Sequence, residues 1–77
     1  MEYADCELDA RGLNCPYHIL STKKSMQKIA TGQVLYVIAT DPSSVKDFKA
    51  LCSISGNEML ASREENGEYF FWLKKNQ

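Results

Sequence analysis

The strongest pattern in the chain is the apolar run Val34-Leu35-Tyr36-Val37-Ile38-Ala39, rich in β-branched residues and bounded by Gly32 and by Asp41-Pro42. A run without polar alternation fits a strand buried on both sides or lying in the middle of a sheet. Upstream, Tyr3 to Leu8 alternates more weakly and ends at Asp9, which suits a short strand. Between the two, apolar residues recur at Ile19, Leu20, Met26 and Ile29. That spacing predicts a helix from Pro16 to about Ile29, with Pro16 at the first helical position, Asn14 or Cys15 as its cap and Thr31-Gly32 ending it.

After the central run, Asp41-Pro42-Ser43-Ser44 supplies a turn and cap, and Val45, Phe48, Leu51 and Cys52 follow at helical spacing before Gly56. Glu58 to Arg63 and Tyr69 to Leu73 read as two strands joined at Asn66-Gly67, a strong short hairpin signal. The predicted order is strand, helix, strand, helix, strand, strand. Each helix has one stripe to bury, so both are expected on one face of a four-stranded mixed sheet, a two-layer α/β (α+β) sandwich. No repeat, linker or low-complexity segment marks a boundary, and residues 1–77 are expected to form a single domain.

Composition narrows the function classes. Nine Lys and Arg stand against ten Asp and Glu, a balance without the strong basic field that marks nucleic-acid binding. No segment approaches the apolar length that spans a membrane, and Met1-Glu2-Tyr3-Ala4-Asp5 does not resemble a secretory signal. The three cysteines, Cys6, Cys15 and Cys52, are odd in number and widely spaced, unlike a secreted disulfide scaffold. A reducing, cytoplasmic setting is expected.

Chemistry concentrates at Cys15-Pro16-Tyr17-His18, where the glycine-containing turn Arg11-Gly12-Leu13-Asn14 opens the first helix. A helix N-terminus presents unpaired N–H groups and the positive end of its dipole, which favour an anion such as a thiolate or a persulfide. Free cysteine titrates near about 8.5, and such positions lower that value to roughly 3.5–7.5. Cys15 is therefore the candidate nucleophile. Asp9, Gly12 and Asn14 read as turn chemistry that reverses the chain before the helix.

The segment Leu8-Asp9-Ala10-Arg11-Gly12-Leu13-Asn14-Cys15-Pro16 resembles the signature of the TusA/SirA-like sulfur-carrier family. The likeness extends to Ile38-Ala39-Thr40-Asp41-Pro42, to Asp47 and Cys52 in the second helix, and to the closing hairpin. It implies a small two-layer α/β protein whose motif cysteine, here Cys15, accepts sulfur as a persulfide and passes it to another protein. It also implies a donor, a cysteine desulfurase or a rhodanese-type sulfurtransferase, and a separate acceptor protein. Family destinations include tRNA thiolation, molybdenum-cofactor maturation and sulfur oxidation. No cofactor is expected, and the protein would be a relay rather than a stand-alone catalyst.

The motif departs from the family pattern Cys-Pro-x-Pro at its last position, where His18 stands for the second proline. The change restores a backbone N–H and adds an imidazole three residues after Cys15. One reading makes His18 the partner of a Cys15 thiolate or persulfide; the other makes it an exposed first-turn histidine with no function. Arg11 is weighed as a contact for the anionic sulfur or for an acidic partner against a merely solvated side chain. Lys23, Lys24 and Lys28 are weighed as a docking face in the same way. Cys52 belongs to the core stripe, whereas the face of Cys6 is undecided. No metal site is expected, since the paired Cys-x-x-Cys and His-x-x-x-His spacings are absent. Two further function classes stand beside the carrier: a regulatory or interaction module that kept the fold after the motif changed, and a thiol redox protein using Cys15 with Cys6 or Cys52.

Overall fold

The computed structural model describes residues 4–14 and 16–76. Four strands and two helices follow in the order β1 (Cys6–Ala10), α1 (Tyr17–Lys28), β2 (Val34–Ala39), α2 (Ser44–Ser55), β3 (Glu58–Glu65) and β4 (Glu68–Lys74). They form one sheet of order β1-β2-β4-β3, in which β1 and β2 are parallel and β4 runs antiparallel to both β2 and β3. The mixed α+β sandwich expected from the pattern is the observed architecture.

The central position of β2 follows from its composition. Leu35, Val37 and Ala39 alternate onto the helix-covered face, where they meet Phe71 and Leu73 of β4 together with Met26, Phe48 and Cys52 from the helices and Ile29 just beyond α1. Fully burying one such side chain stabilises the fold by about 1.5–3 kcal/mol. On the opposite face, Tyr36 packs against Phe70 and Trp72, with ring centroids 6.2 and 4.9 Å apart, and the Arg63 guanidinium lies 5.5 Å from the Phe70 ring centre. This aromatic layer covers the face that has no helix over it.

Turns follow the local chemistry. Asn66 and Gly67, both at positive φ, close the β3–β4 hairpin, as Asn-Gly favours. Gly56 ends α2 in the left-handed region, its N–H donating to the Cys52 carbonyl. Several boundaries differ from the expected ones: β1 starts at Cys6, β3 runs on to Glu65 and β4 spans Glu68–Lys74. Strand β1 runs to Ala10 rather than ending before Asp9, because pairing with β2 continues to the Ala10–Ala39 register. Helix α1 begins at Tyr17, with Pro16 at the cap and not at the first helical position. It also stops at Lys28, where Ile29 turns extended and buries its side chain, so Gly32 serves the next turn and not the helix end.

Candidate functional site

Parallel pairing of β1 and β2 brings the loops that leave their carboxyl ends side by side, and each loop leads into a helix. The chain reverses after Ala10 through Arg11-Gly12, with Gly12 at φ 81° and its N–H donating to Thr40 Oγ1 at 2.9 Å. That bond ties the turn before α1 to the turn before α2. Cys15 lies outside the described residues. On either side of it, the Asn14 carbonyl accepts from the Tyr17 N–H at 2.7 Å and, more weakly, from the His18 N–H at 3.4 Å. The first turn of α1 holds no acidic residue and no side-chain cap bond, so no carboxylate of its own faces its N-terminal N–H groups.

His18 is fully buried, in contrast to the exposed first-turn histidine considered from sequence. The buried seam of α1 is His18, Thr22 and Met26, one helical turn apart, and Thr22 Oγ1 donates to the His18 carbonyl at 2.8 Å. Leu20, which the apolar spacing placed on this seam, is instead 48% exposed, and Tyr17 is 63% exposed. The seam of α2 has the same period, with Ser44, Phe48 and Cys52. The two seams meet at the heads of the helices: the His18 ring lies 5.4 Å from that of Phe48, and its Nε2 lies 3.2 Å from Asp47 Oδ2. This contact is an electrostatic one, off the line of a hydrogen bond, and Nδ1 has no hydrogen-bond partner among the described residues.

Asp47 is itself held. The Ser43 hydroxyl lies 2.9 Å from Asp47 Oδ2 and 2.8 Å from Asp41 Oδ1, and its single hydrogen serves one carboxylate at a time. Asp41 Oδ1 also accepts the Ser43 N–H at 2.9 Å, which sets the turn into α2. Sequence pattern gave no sign of the His18–Asp47 contact, since both residues are polar and far apart in the chain. A polar residue recurring with Thr22 and Met26 at one face was the available signal.

Asp9 and Arg11 form a fork at the exposed end of β1. Arg11 Nε and Nη2 donate to Asp9 Oδ1 and Oδ2 at 2.9 and 2.8 Å, the Arg11 N–H donates to Asp9 Oδ1 at 3.0 Å, and Glu68 lies 3.6 Å from Nη1. These bonds hold the Asp9 carboxyl down at about 2 from an ordinary 3.8, and raise the Arg11 pKa. Arg11 is thus paired within its own turn while its side chain stays 51% exposed.

The other cysteines separate by environment. Cys52 sits in the core, where burial pushes its thiol pKa up, and Cys6 is exposed on β1. Lys23, Lys24 and Lys28 are exposed along α1. A cleft of about 180 Å³ opens between the later turns of both helices, walled by Met26, Leu51, Cys52 and Leu73, away from the helix heads. It falls below the roughly 300–1,000 Å³ of an ordinary small-molecule site. No helix of the described residues is long and apolar enough to cross a membrane, and no group of three or more metal-ligating side chains occurs among them.

Comparison with known proteins agrees with this geometry. A family model described as sulfurtransferase TusA matches residues 6–75. The sulfur carrier protein TusA of Allochromatium vinosum is 56% identical over 72 residues, covering 94% of this chain and 95% of its own. The protein of the same name from Pseudomonas entomophila is 45% identical over 71 residues, covering 92% and 89%. Among solved structures, a SirA-like protein from Desulfitobacterium hafniense superposes with a TM-score of 0.80 at 19% identity, over 94% of this chain and 99% of its own, a likeness of fold. The match over nearly the whole chain places this protein in the TusA sulfurtransferase family.

Proposed function

We propose that this protein, acting as one domain over residues 1–77, is a cytoplasmic sulfur carrier whose Cys15 receives a persulfide sulfur from a donor protein and hands it to an acceptor protein. The observation that carries this reading is Cys15-Pro16 directly preceding α1 in a chain that matches the TusA family from residue 6 to residue 75. In the loading step the Cys15 thiolate attacks the terminal sulfur of the donor's persulfide. The donor S–S bond breaks, its thiolate leaves with the electron pair, and a new S–S bond forms on Cys15. Sulfur changes carrier with no net oxidation, so neither cofactor nor metal is required. Donors of the desulfurase or rhodanese type supply such a persulfide.

Several residues support the reading. The helix head lacks an acidic residue in its first turn and favours an anionic sulfur. Gly12 and the Asp9–Arg11 fork hold the preceding turn in shape. His18, the departure from the family motif, stands three residues after Cys15 in the sequence and acts as the partner of its sulfur. Arg11, half exposed at the end of β1, is the contact for the anionic sulfur or for an acidic partner surface.

The test is intact mass after incubation with a cysteine desulfurase and cysteine, or a rhodanese and thiosulfate, for wild type and Cys15→Ser. A reductant-labile gain of one sulfur atom on wild type alone is the expected result. Absence of loading by either donor, with Cys15 still open to alkylation, overturns it in favour of an interaction module, the reading that His18 in place of proline motivates. Loading that also requires Cys6 or Cys52 indicates a redox pair.

A further inference from the structure

We propose that the open face of the sheet is a self-association surface, on which a second copy of this chain packs face to face in a weak two-fold dimer. Strands β2 and β4 carry apolar residues on both faces, yet among the described residues only one face has a layer of helices over it. On the other face, the registers align Glu7, Tyr36, Trp72 and Ala61 in one row and Asp9, Ile38, Phe70 and Arg63 in the next. Antiparallel strands with one free face ordinarily alternate apolar inward with polar outward, whereas β2 and β4 keep the composition of strands covered on both sides. The proposal is independent of the sulfur chemistry of Cys15.

Charge complementarity selects a second copy as the occupant. Of the charged groups on this face, Asp9 and Glu68 are both met by Arg11, and Glu58 stands opposite Lys74 in the β3–β4 register, which leaves Glu7, Arg63 and, at the hairpin end, Glu65. Glu7 and Arg63 form no ion pair among the described residues, although both line a cleft of about 250 Å³ floored by Tyr36 and Trp72. They belong to opposite edges of the sheet, since its order is β1-β2-β4-β3. A two-fold axis parallel to the strands and midway between two facing sheets lays β1 of one copy over β3 of the other, and β2 over β4. Each Glu7 then faces the Arg63 edge of the other copy, so the unmatched charges of one chain are matched twice, while Tyr36 and Ile38 cover Trp72 and Phe70. A net charge of -1 leaves little repulsion between copies at neutral pH. Four strands about 4.8 Å apart, each about six residues long at roughly 3.3 Å per residue, give a face of roughly 400 Å². That is half the ~800 Å² that one partner buries in a standard interface, so the dimer is weak and concentration-dependent.

Trp72 is the only tryptophan, so its indole N–H resonance reports this face directly. The experiment is sedimentation of the full chain from about 10 μM to about 1 mM, with amide and indole NMR shifts followed over the same dilution series. The expected result is a rise towards the dimer within this range, with concentration-dependent shifts at Tyr36, Phe70 and Trp72. Glu7→Arg or Arg63→Glu alone weakens association about tenfold or more, and the double variant, which exchanges the two charges, recovers it, because both halves of a reciprocal pair change together. A monomer throughout the range overturns the proposal, as does a dimer that the single variants leave unchanged or the double variant fails to recover. Shifts confined to the helices overturn it too. A Trp72 resonance that moves only when a sulfur-donor protein is added gives the face to that protein and excludes the second copy. The wild-type dilution series decides even where a variant fails to fold.

Discussion

His18 Nε2 of α1 lies 3.2 Å from Asp47 Oδ2 of α2, and through this contact the heads of the two helices are joined inside the core. The histidine is wholly buried and the carboxylate keeps 27% of its side chain in solvent, so the two partners tolerate loss unequally. Truncating Asp47 to alanine leaves a buried imidazole without its carboxylate and is expected to cost about 1–3 kcal/mol. Truncating His18 to alanine opens a cavity beside Phe48 and is expected to cost about 2–4 kcal/mol. Urea unfolding of the two single variants and the double variant checks this. The double-variant cost should fall short of the sum, because both changes remove the same contact.

The Asp9–Arg11 fork predicts an acid limb in stability. The folded carboxyl titrates at about 2 against an ordinary 3.8, so its contribution is present above the unfolded value and is lost as pH falls from about 4 towards 2. Carboxyl ¹³C titration should place Asp9 at about 2, and Arg11→Gln should return it towards 3.8. Because both side chains are largely exposed, added salt is expected to weaken the effect.

Gly12 holds φ 81° while nothing lies within 4 Å of where a Cβ would stand. Gly12→Ala is therefore expected to destabilise through backbone conformation alone, by about 1–2 kcal/mol. Thermal unfolding measures the cost. Protection of the Gly12 amide, bonded to Thr40 Oγ1, should fall in hydrogen exchange as the turn loosens.

The described cysteines should react in a fixed order. Cys6 is exposed, whereas Cys52 is buried with its thiol pKa raised, so iodoacetamide at mildly alkaline pH should modify Cys6 first. Cys52 should react only as fast as the core opens, and mild denaturant should accelerate its modification far more than that of Cys6. Peptide mapping over time resolves the two.

Most of the fold was legible because apolar residues and turn chemistry agreed. The run from Val34 to Ala39 gave β2 with its bounds, Asn66-Gly67 gave the hairpin, and Gly56 gave the end of α2. Reading went astray where burial did not follow hydrophobicity. The apolar spacing puts Leu20 on the core stripe of α1, and one of the two readings of His18 puts it on the surface, whereas His18 and Thr22 fill that stripe and Leu20 is half exposed. Periodicity identifies a face only when the face is apolar, and this one is half polar because Asp47 and the helix backbone receive its polar groups. The motif around Cys15 was visible from residue types alone. Asp47 was visible only as part of a likeness, because nothing local announces a partner supplied by another helix.

The insertion of β4 between β2 and β3 has a consequence for how the chain is made. Residues Glu68–Lys74 are synthesised after every other element, yet they hold the sheet's two halves together and bring Phe71 and Leu73 to the core. A nascent chain that has reached Glu65 has β1 and β2 to pair and two helices with an incomplete floor, while β3 has no neighbour. The complete sheet must therefore wait for β4 to leave the ribosome. A chain arrested before Glu68 should be digested by protease wherever its helices lie open, and release of Glu68–Lys74 should confer resistance in a single step.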